Sequence, residues 1–223
     1  MKNLTLIIPT KNEKESLPIF LKEINDLACK KIIVIDNEDK VTEQVLESFS
    51  DIKIINQKKS GYGNALIEGI NASTTEFCCI INADGSMDPK FLGEKIKLAS
   101  NYDFVFSSRY LNKDAGSEDD DLITLVGNYF FSFLGRLFFS LPISDILYTY
   151  ILGRTTSFQK LDLNYHDFRI CVEIPIKSKR KNYSIIDIPS YERKRIGGKK
   201  KVSPFKDGIL ILFAMVSLFF KKK

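Results

Sequence analysis

Short apolar runs alternate along this chain with longer stretches whose apolar residues recur at helical spacing. Residues 4–8, 31–35, 52–55, 77–81 and 104–106 are rich in apolar side chains without a clean in–out alternation, as strands covered on both faces would be. Between them, Leu17, Phe20, Leu21, Ile24 and Leu27 predict an amphipathic helix over 16–27. Val45, Leu46 and Phe49 predict another over 41–49, and further helices are expected from Gly61 to Ile70 and over 91–98. An aromatic strand-like run follows at 146–152, and a late strand at 185–188. Strands alternating with helices, without hairpin signals, predict an α/β chain with a mainly parallel, doubly wound sheet.

The chemistry sits where these strands end. The first breaks into Pro9-Thr10-Lys11-Asn12-Glu13 and the second into Asp36-Asn37-Glu38-Asp39. The run 77–81 breaks into Asn82-Ala83-Asp84-Gly85-Ser86, with Asp88-Pro89 beyond. Oxygen-bearing side chains at the C-terminal ends of buried strands lie where open α/β sheets bind ligands. Asp84 and its neighbours suit a hard divalent cation bridging to a phosphate, although a polar strand-to-helix turn with Asp88 as N-cap reads the same residues. Gly61-Tyr62-Gly63 follows the third strand and lacks a third glycine, so it is no dinucleotide fingerprint. It is either a loop that lets backbone approach a ligand or a helix start. Ser107-Ser108-Arg109-Tyr110 ends the 104–106 strand, where an arginine suits an anionic ligand.

The second half changes character. Glu118-Asp119-Asp120-Asp121 is an acidic run in a polar loop. Residues 122–143 carry one charge, Arg136, among many phenylalanines, and Pro142 ends the stretch. Its length approaches a membrane span, but Asn128, Ser132 and Gly135 favour a helix lying in the membrane interface or against a partner; a buried core helix is the other reading. Glu173 lies within an apolar segment and needs a partner there. His166, beside Asp167, is assigned no role. Residues 193–201 form a basic loop with two glycines, suited to phosphates or to a membrane surface, and 208–220 is almost wholly apolar before three terminal lysines.

Composition narrows the class. At 223 residues, 44% hydrophobic and 27% charged, the chain is an ordinary folded protein with room for one sizeable core. The net charge of +5 is modest, and a basic tail beside apolar segments points to an anionic membrane surface at least as strongly as to nucleic acid; no nucleic-acid partner is expected. Cys29, Cys78, Cys79 and Cys171 lack metal-site spacing and are expected as reduced thiols. Residues 4–8 are too short for a leader and Pro9 ends them, so a cytoplasmic location is expected, attached peripherally to the inner face of the membrane.

Taken in order, these motifs resemble the family 2 inverting glycosyltransferases of GT-A fold, and within them the polyprenyl-phosphate branch typified by dolichol-phosphate mannosyltransferase. The residues carrying the resemblance run from Leu6-Ile7-Ile8-Pro9-Thr10-Lys11-Asn12-Glu13 through Ile33-Val34-Ile35-Asp36 and Gly61-Tyr62-Gly63-Asn64-Ala65. They continue with Asn82-Ala83-Asp84, Ser108-Arg109-Tyr110 and Arg195-Ile196-Gly197-Gly198-Lys199-Lys200-Lys201. The resemblance implies a GT-A domain over 1–204, including the amphipathic segment 122–143, and a membrane-associating tail over 205–223. It implies a nucleotide-sugar donor, UDP- or GDP-linked, held by Pro9, Thr10, Glu13, Asp36, Gly61, Gly63, Asn82, Asp84, Arg195 and Lys201. Asn82 and Asp84 occupy the metal position for Mg2+ or Mn2+, and Arg109 and Asp145 are the implied catalytic residues, Asp145 as general base.

The implied reaction is a single displacement that moves the sugar to a lipid-linked or glycan acceptor. Four departures stand out: Asn82 replaces the usual first aspartate, Lys11 an aromatic, Asn37-Glu38-Asp39 the Asp-Gly-Ser pattern after Asp36, and the acidic run the loop that offers an arginine to a lipid phosphate, which its carboxylates would repel. A nucleotidyltransferase would carry a glycine- and lysine-rich loop after the first strand, which residues 9–13 are not. A binding or scaffold protein with a degenerate transferase fold is the alternative from outside the enzymes.

Overall fold

The computed structural model describes residues 1–198 and 200–221; Lys199 in the basic loop and Lys222 and Lys223 in the tail lie outside the described residues. The first half is a βα alternation: β1 (Leu4–Thr10), α1 (Ser16–Glu23), β2 (Lys30–Ile35), α2 (Lys40–Val45), β3 (Lys53–Asn56), α3 (Tyr62–Ala72), β4 (Phe77–Ile80) and α4 (Leu92–Leu98). The second half runs β5 (Phe104–Ser108), β6 (Gly116–Ser117), α5 (Leu122–Phe139), β7 (Leu152–Arg154), α6 (Thr155–Gln159), α7 (Ile170–Arg180), β8 (Ile185–Pro189), β9 (Tyr191–Glu192) and α8 (Pro204–Phe220).

Seven strands form one sheet in the order β3-β2-β1-β4-β7-β5-β8. It is parallel except at β7, which runs antiparallel to both β4 and β5. Two apolar layers explain the unbroken strands. On one face, Leu6, Ile8, Ile33, Ile35 and Cys79 pack with Leu17, Phe20 and Leu92 from α1 and α4. On the other, Ile7, Val34, Cys78 and Ile80 pack with Leu66 of α3, Ile174 of α7 and Met215 of α8. A residue and its successor along β1 thus enter different cores, so nearly every position is apolar.

Three boundaries differ from expectation. The 16–27 helix stops at Glu23, although Ile24 stays buried. The 146–152 run joins the ladder only from Leu152, because upstream its backbone is bonded elsewhere: Ile146 N–H donates to Ser132 Oγ, and the Tyr150 carbonyl accepts from the buried Lys95 amine. The helix expected over 122–143 ends at Phe139, where Ser140 takes a left-handed conformation (φ 51°) and Pro142 follows.

The acidic run starts that helix. Asp121 caps α5, its carboxylate accepting from Thr124 N–H at 2.8 Å while Thr124 Oγ1 accepts from Asp121 N–H at 3.0 Å. The segment expected as an appendage, 205–223, is mostly α8, and one face of it is built into the body. Ile211, Ala214, Met215 and Leu218 are buried with α5 and α7, each worth up to about 2 kcal/mol for the larger side chains. Arg180 of α7 donates to the carbonyls of Leu218 and Lys221, capping the helix where its dipole is negative.

Candidate active site

The C-terminal ends of β1, β2, β4 and β5 open on one cavity of about 640 Å3, within the range of small-molecule sites. Pro9, Thr10, Glu13, Asp36, Gly61, Asn82, Asp84, Arg109, Arg195 and Lys201 all line it. Two expected site residues do not: Gly63 and Asp145.

On the β1–β2 side, Asp36 is buried at the end of β2 and accepts from Lys11 Nζ at 2.9 Å, from Ser60 Oγ and from Glu38 N–H. Burial works to raise its pKa, but the bonds from Ser60 and Lys11 prevail and hold the carboxyl below its usual value. Glu13 accepts from Ser16 Oγ and from Lys201 Nζ. Lys11, a departure from the family pattern, thus supplies the counter-charge for Asp36.

Asp84 sits in the turn after β4. Its Oδ1 accepts from Ser86 N–H at 3.0 Å and Ser86 Oγ at 2.8 Å, which leaves Oδ2 facing Arg195 Nη1 at 3.5 Å. Gly85 is required here twice over: its φ is +74°, and a Cβ would meet the Ile196 side chain at 2.4 Å. Asn82 points differently from Asp84. Its Oδ1 accepts from the Tyr62 hydroxyl at 3.1 Å, and that hydroxyl is also bonded to Thr149 Oγ1 at 2.6 Å. Tyr62 stacks on Phe168, ring centroids 5.0 Å apart.

Residues 193–198 and 200–201 run beside the cavity as a strap, with Arg195, Lys200 and Lys201 lining it. Arg193 makes two bonds to Glu23, at 2.7 and 3.0 Å, and also donates to the Gly85 carbonyl. Ile196 N–H donates to the Asp84 carbonyl at 2.8 Å. Arg195 makes a bidentate pair with Asp119, Nε to Oδ1 at 3.1 Å and Nη2 to Oδ2 at 2.7 Å. The acidic run is therefore consumed internally: Glu118 accepts from Tyr191 and Lys194, Asp119 from Arg195, Asp120 from Tyr110 and Asn128, and Asp121 caps α5.

Arg109 leaves the end of β5 into a nest of acids. Its Nε and Nη2 donate to Asp145 at 2.7 and 3.1 Å, and its Nη1 to Glu192 at 3.0 Å and Asp120 at 3.5 Å. The guanidinium carbon lies 4.6 Å from the Tyr148 ring centroid. Asp145 is buried behind Arg109 with both oxygens engaged and is not among the residues that line the cavity.

Gly63 packs against the chain itself. A Cβ there would meet the Tyr165 carbonyl at 2.3 Å, and one at Gly61 the His166 carbonyl at 2.3 Å. The two glycines admit the 165–167 segment of the chain itself, whose His166 carbonyl accepts from Asn64 N–H at 3.1 Å. Glu173 finds its partners in the same region, accepting from Asn164 and Tyr165 N–H and from Lys177 Nζ at 2.8 Å. It organises that segment and stays out of the cavity. Tyr148 and Glu192 also line the cavity, although nothing in their spacing marks them, and so do Tyr62, Asp119 and Asn128, which the sequence offers only as parts of a helix start, an acidic loop and a helix.

Comparison with known proteins fits this geometry. Residues 5–162 match the profile of Glycosyl transferase family 2. Uncharacterized glycosyltransferases of Mycobacterium bovis and Mycobacterium tuberculosis are each 28% identical over 214 residues, 93% of this chain and 93% of theirs. Glucosyl-3-phosphoglycerate synthase of Mycobacterium tuberculosis, solved with UDP, superposes with a TM-score of 0.74 at 11% identity, over 99% of this chain and 81% of that one. Its complex with Mn2+, UDP-glucose and phosphoglyceric acid gives a TM-score of 0.74 over 99% and 80%. The likeness to the synthase is one of fold. By the profile match, which spans well over half its length, the chain belongs to Glycosyl transferase family 2 and is a glycosyltransferase of GT-A fold.

Proposed function

We propose that this glycosyltransferase moves a hexose from a UDP- or GDP-sugar to a lipid-linked or glycan acceptor, with inversion, at the inner face of the cytoplasmic membrane. One observation carries the donor half of the reading. Asp36 and Asp84 face a single cavity together with Lys11, Arg195 and Lys201, at the ends of adjacent strands β2, β1 and β4 and on the strap above them. Asp36 suits the nucleoside, and Lys11, Arg195 and Lys201 suit the charge that develops on a departing diphosphate. UDP is the first nucleotide to test, because the synthase with the same fold is solved with it. Calorimetry against UDP and GDP, with and without Mn2+, tests the reading, and no binding of either would sink it.

A divalent cation fits the site in a limited way. Among the described residues no cluster of three or more acidic, histidine or cysteine side chains forms a metal site. Asp84 is the one carboxylate of the Asn82–Asp84 pair, its Oδ2 is not bonded by Ser86, and Asn82 Oδ1 is engaged by Tyr62. This donor set suits Mg2+ or Mn2+ that arrives with the diphosphate, which together with water supplies the remaining oxygens. When bound, the cation offsets charge on the leaving group. Arg195 and Lys201 do the same from the strap, and Asp145 acts by holding Arg109.

The membrane half rests on α5 and α8, which pack side by side. Leu122, Ile123, Val126, Phe133, Leu137 and Phe138 of α5 are exposed, as are Phe205, Ile209, Phe213, Val216 and Phe220 of α8. The α5 helix is long and apolar enough to cross a membrane, and only 22% of it is buried. Lys206, Lys221 and the terminal lysines flank this surface in sequence. An apolar face edged with lysines suits an anionic bilayer interface. The cavity reaches the same helices, through Thr124 and Asn128 of α5 and Lys206 and Ile211 of α8, so an acceptor seated in the bilayer has a path to it. The resemblance to the polyprenyl-phosphate branch agrees with that path.

A second reading, a binding protein with a degenerate site, is favoured by Asn82 and by the Asn37-Glu38-Asp39 sequence after Asp36. Turnover of a sugar nucleotide separates the two.

A further inference from the structure

The acceptor end of the cavity is acidic. Over β1, β2 and β4 the carboxylates are matched by Lys11, Arg195 and Lys201, but at the end of β5 one guanidinium meets three carboxylates. Arg109 is spent on them: Asp145 takes Nε and Nη2, and Glu192 and Asp120 share Nη1. A phosphate arriving here would meet excess negative charge and an arginine with no group free to pair with it.

Within this nest the carboxylates are not equivalent. Asp145 is fully engaged and lies off the cavity. Both oxygens of Asp120 are occupied, by Arg109, Tyr110 and Asn128. Glu192 is held by one oxygen only. Its Oε2 accepts from Arg109 at 3.0 Å and from Ser117 Oγ at 2.6 Å, while its Oε1 accepts no hydrogen bond among the described residues. The side chain lines the cavity, and a bridge between Met87 and Glu192 sets it beside the turn that carries Asp84.

We propose that Glu192 is the general base of the reaction and that the acceptor is a neutral hydroxyl, as on a lipid-linked glycan, and not a lipid phosphate. This deepens the sugar-transfer reading and rests on it. Glu192 Oε1 takes the proton of the hydroxyl as the acceptor oxygen bonds to the anomeric carbon. The bond from that carbon to the diphosphate oxygen breaks, and its electron pair leaves with the nucleoside diphosphate. The titratable groups facing Glu192 are Arg109, Asp120 and Tyr148. Burial pushes its carboxyl up against the lowering effect of Arg109, which makes it a stronger base than a free carboxylate.

The test uses the whole chain with UDP-glucose and GDP-mannose as donors. Water can take the acceptor's place, so slow donor hydrolysis requires the same base. Glu192→Gln should lower hydrolysis about a hundredfold or more and abolish the acid limb of its pH profile. Nucleoside diphosphate affinity, measured by calorimetry, should stay within about threefold because the donor half is untouched. With dodecyl glucoside and farnesyl phosphate offered together, only the glucoside should be glycosylated. Hydrolysis retained by Glu192→Gln, or transfer to farnesyl phosphate, would overturn the inference while leaving the transferase reading in place. An unmodified protein that binds no nucleoside diphosphate would remove that reading, and this inference with it.

Discussion

Arg109 and Asp145 meet through two parallel bonds, Nε to Oδ2 at 2.7 Å and Nη2 to Oδ1 at 3.1 Å, with both side chains buried. The pair joins the end of β5 to the segment after α5 and fixes the direction in which the guanidinium meets Glu192 and Asp120. Removing Asp145 leaves Nε and Nη2 of the buried guanidinium without partners, although Nη1 keeps Glu192 and Asp120. Asp145→Ala should therefore destabilise the fold by about 3 kcal/mol, read by urea denaturation. A protein of unchanged stability that lost turnover would instead make Asp145 the base.

Lys95 makes a prediction about pH. It is fully buried, its amine donating to the Tyr150 carbonyl over the Tyr150 ring, and burial pushes its pKa down to about 8 from 10.5. Between those values the unfolded chain holds a proton that the folded chain has released. Stability contributed by this site therefore rises with pH across that window. Relative to a Lys95→Met variant, the natural protein should gain on the order of 3 kcal/mol between pH 7.5 and 10.5, at about 1.4 kcal/mol per pK unit. A difference that stays flat across the window contradicts the burial account.

The exposed face of α5 and α8 predicts binding to anionic vesicles. Phe205 and Phe213 are 74% and 67% exposed, so Phe205→Ser with Phe213→Ser should leave the melting temperature nearly unchanged. Vesicle co-sedimentation should fall by about tenfold or more, since each buried ring contributes about 1.5–3 kcal/mol. Equal binding by the double variant would show that this face does not meet lipid.

The sheet was legible because β1, β2 and β4 are buried on both faces, and burial on both faces leaves apolar runs that a reader can find. Asp36, Asp84 and Arg109 were legible for the same reason, as polar residues where those runs stop. The strap was legible as a basic loop, but its anchors were not. Lys201 meets Glu13 and Arg193 meets Glu23 across nearly the whole chain, and no local spacing records such contacts. The acidic run was read as a hazard to phosphate. Its first three members are paired within the protein and the fourth caps α5. Asp145 was found by its place in the chain, yet its role depended on where the guanidinium of Arg109 lies. Glu192 gave no signal because the role proposed for it rests on one oxygen that accepts no hydrogen bond among the described residues.

The central claim is that the ends of β1, β2 and β4 hold a nucleoside diphosphate with a divalent cation at Asp84. Calorimetric titration of UDP and GDP into the whole chain and into Asp84→Ala, with and without Mn2+, tests it most directly. The account predicts that one nucleotide binds to the natural protein, more tightly with Mn2+, and that Asp84→Ala abolishes the gain from Mn2+. Binding that ignores both the metal and Asp84 would contradict it.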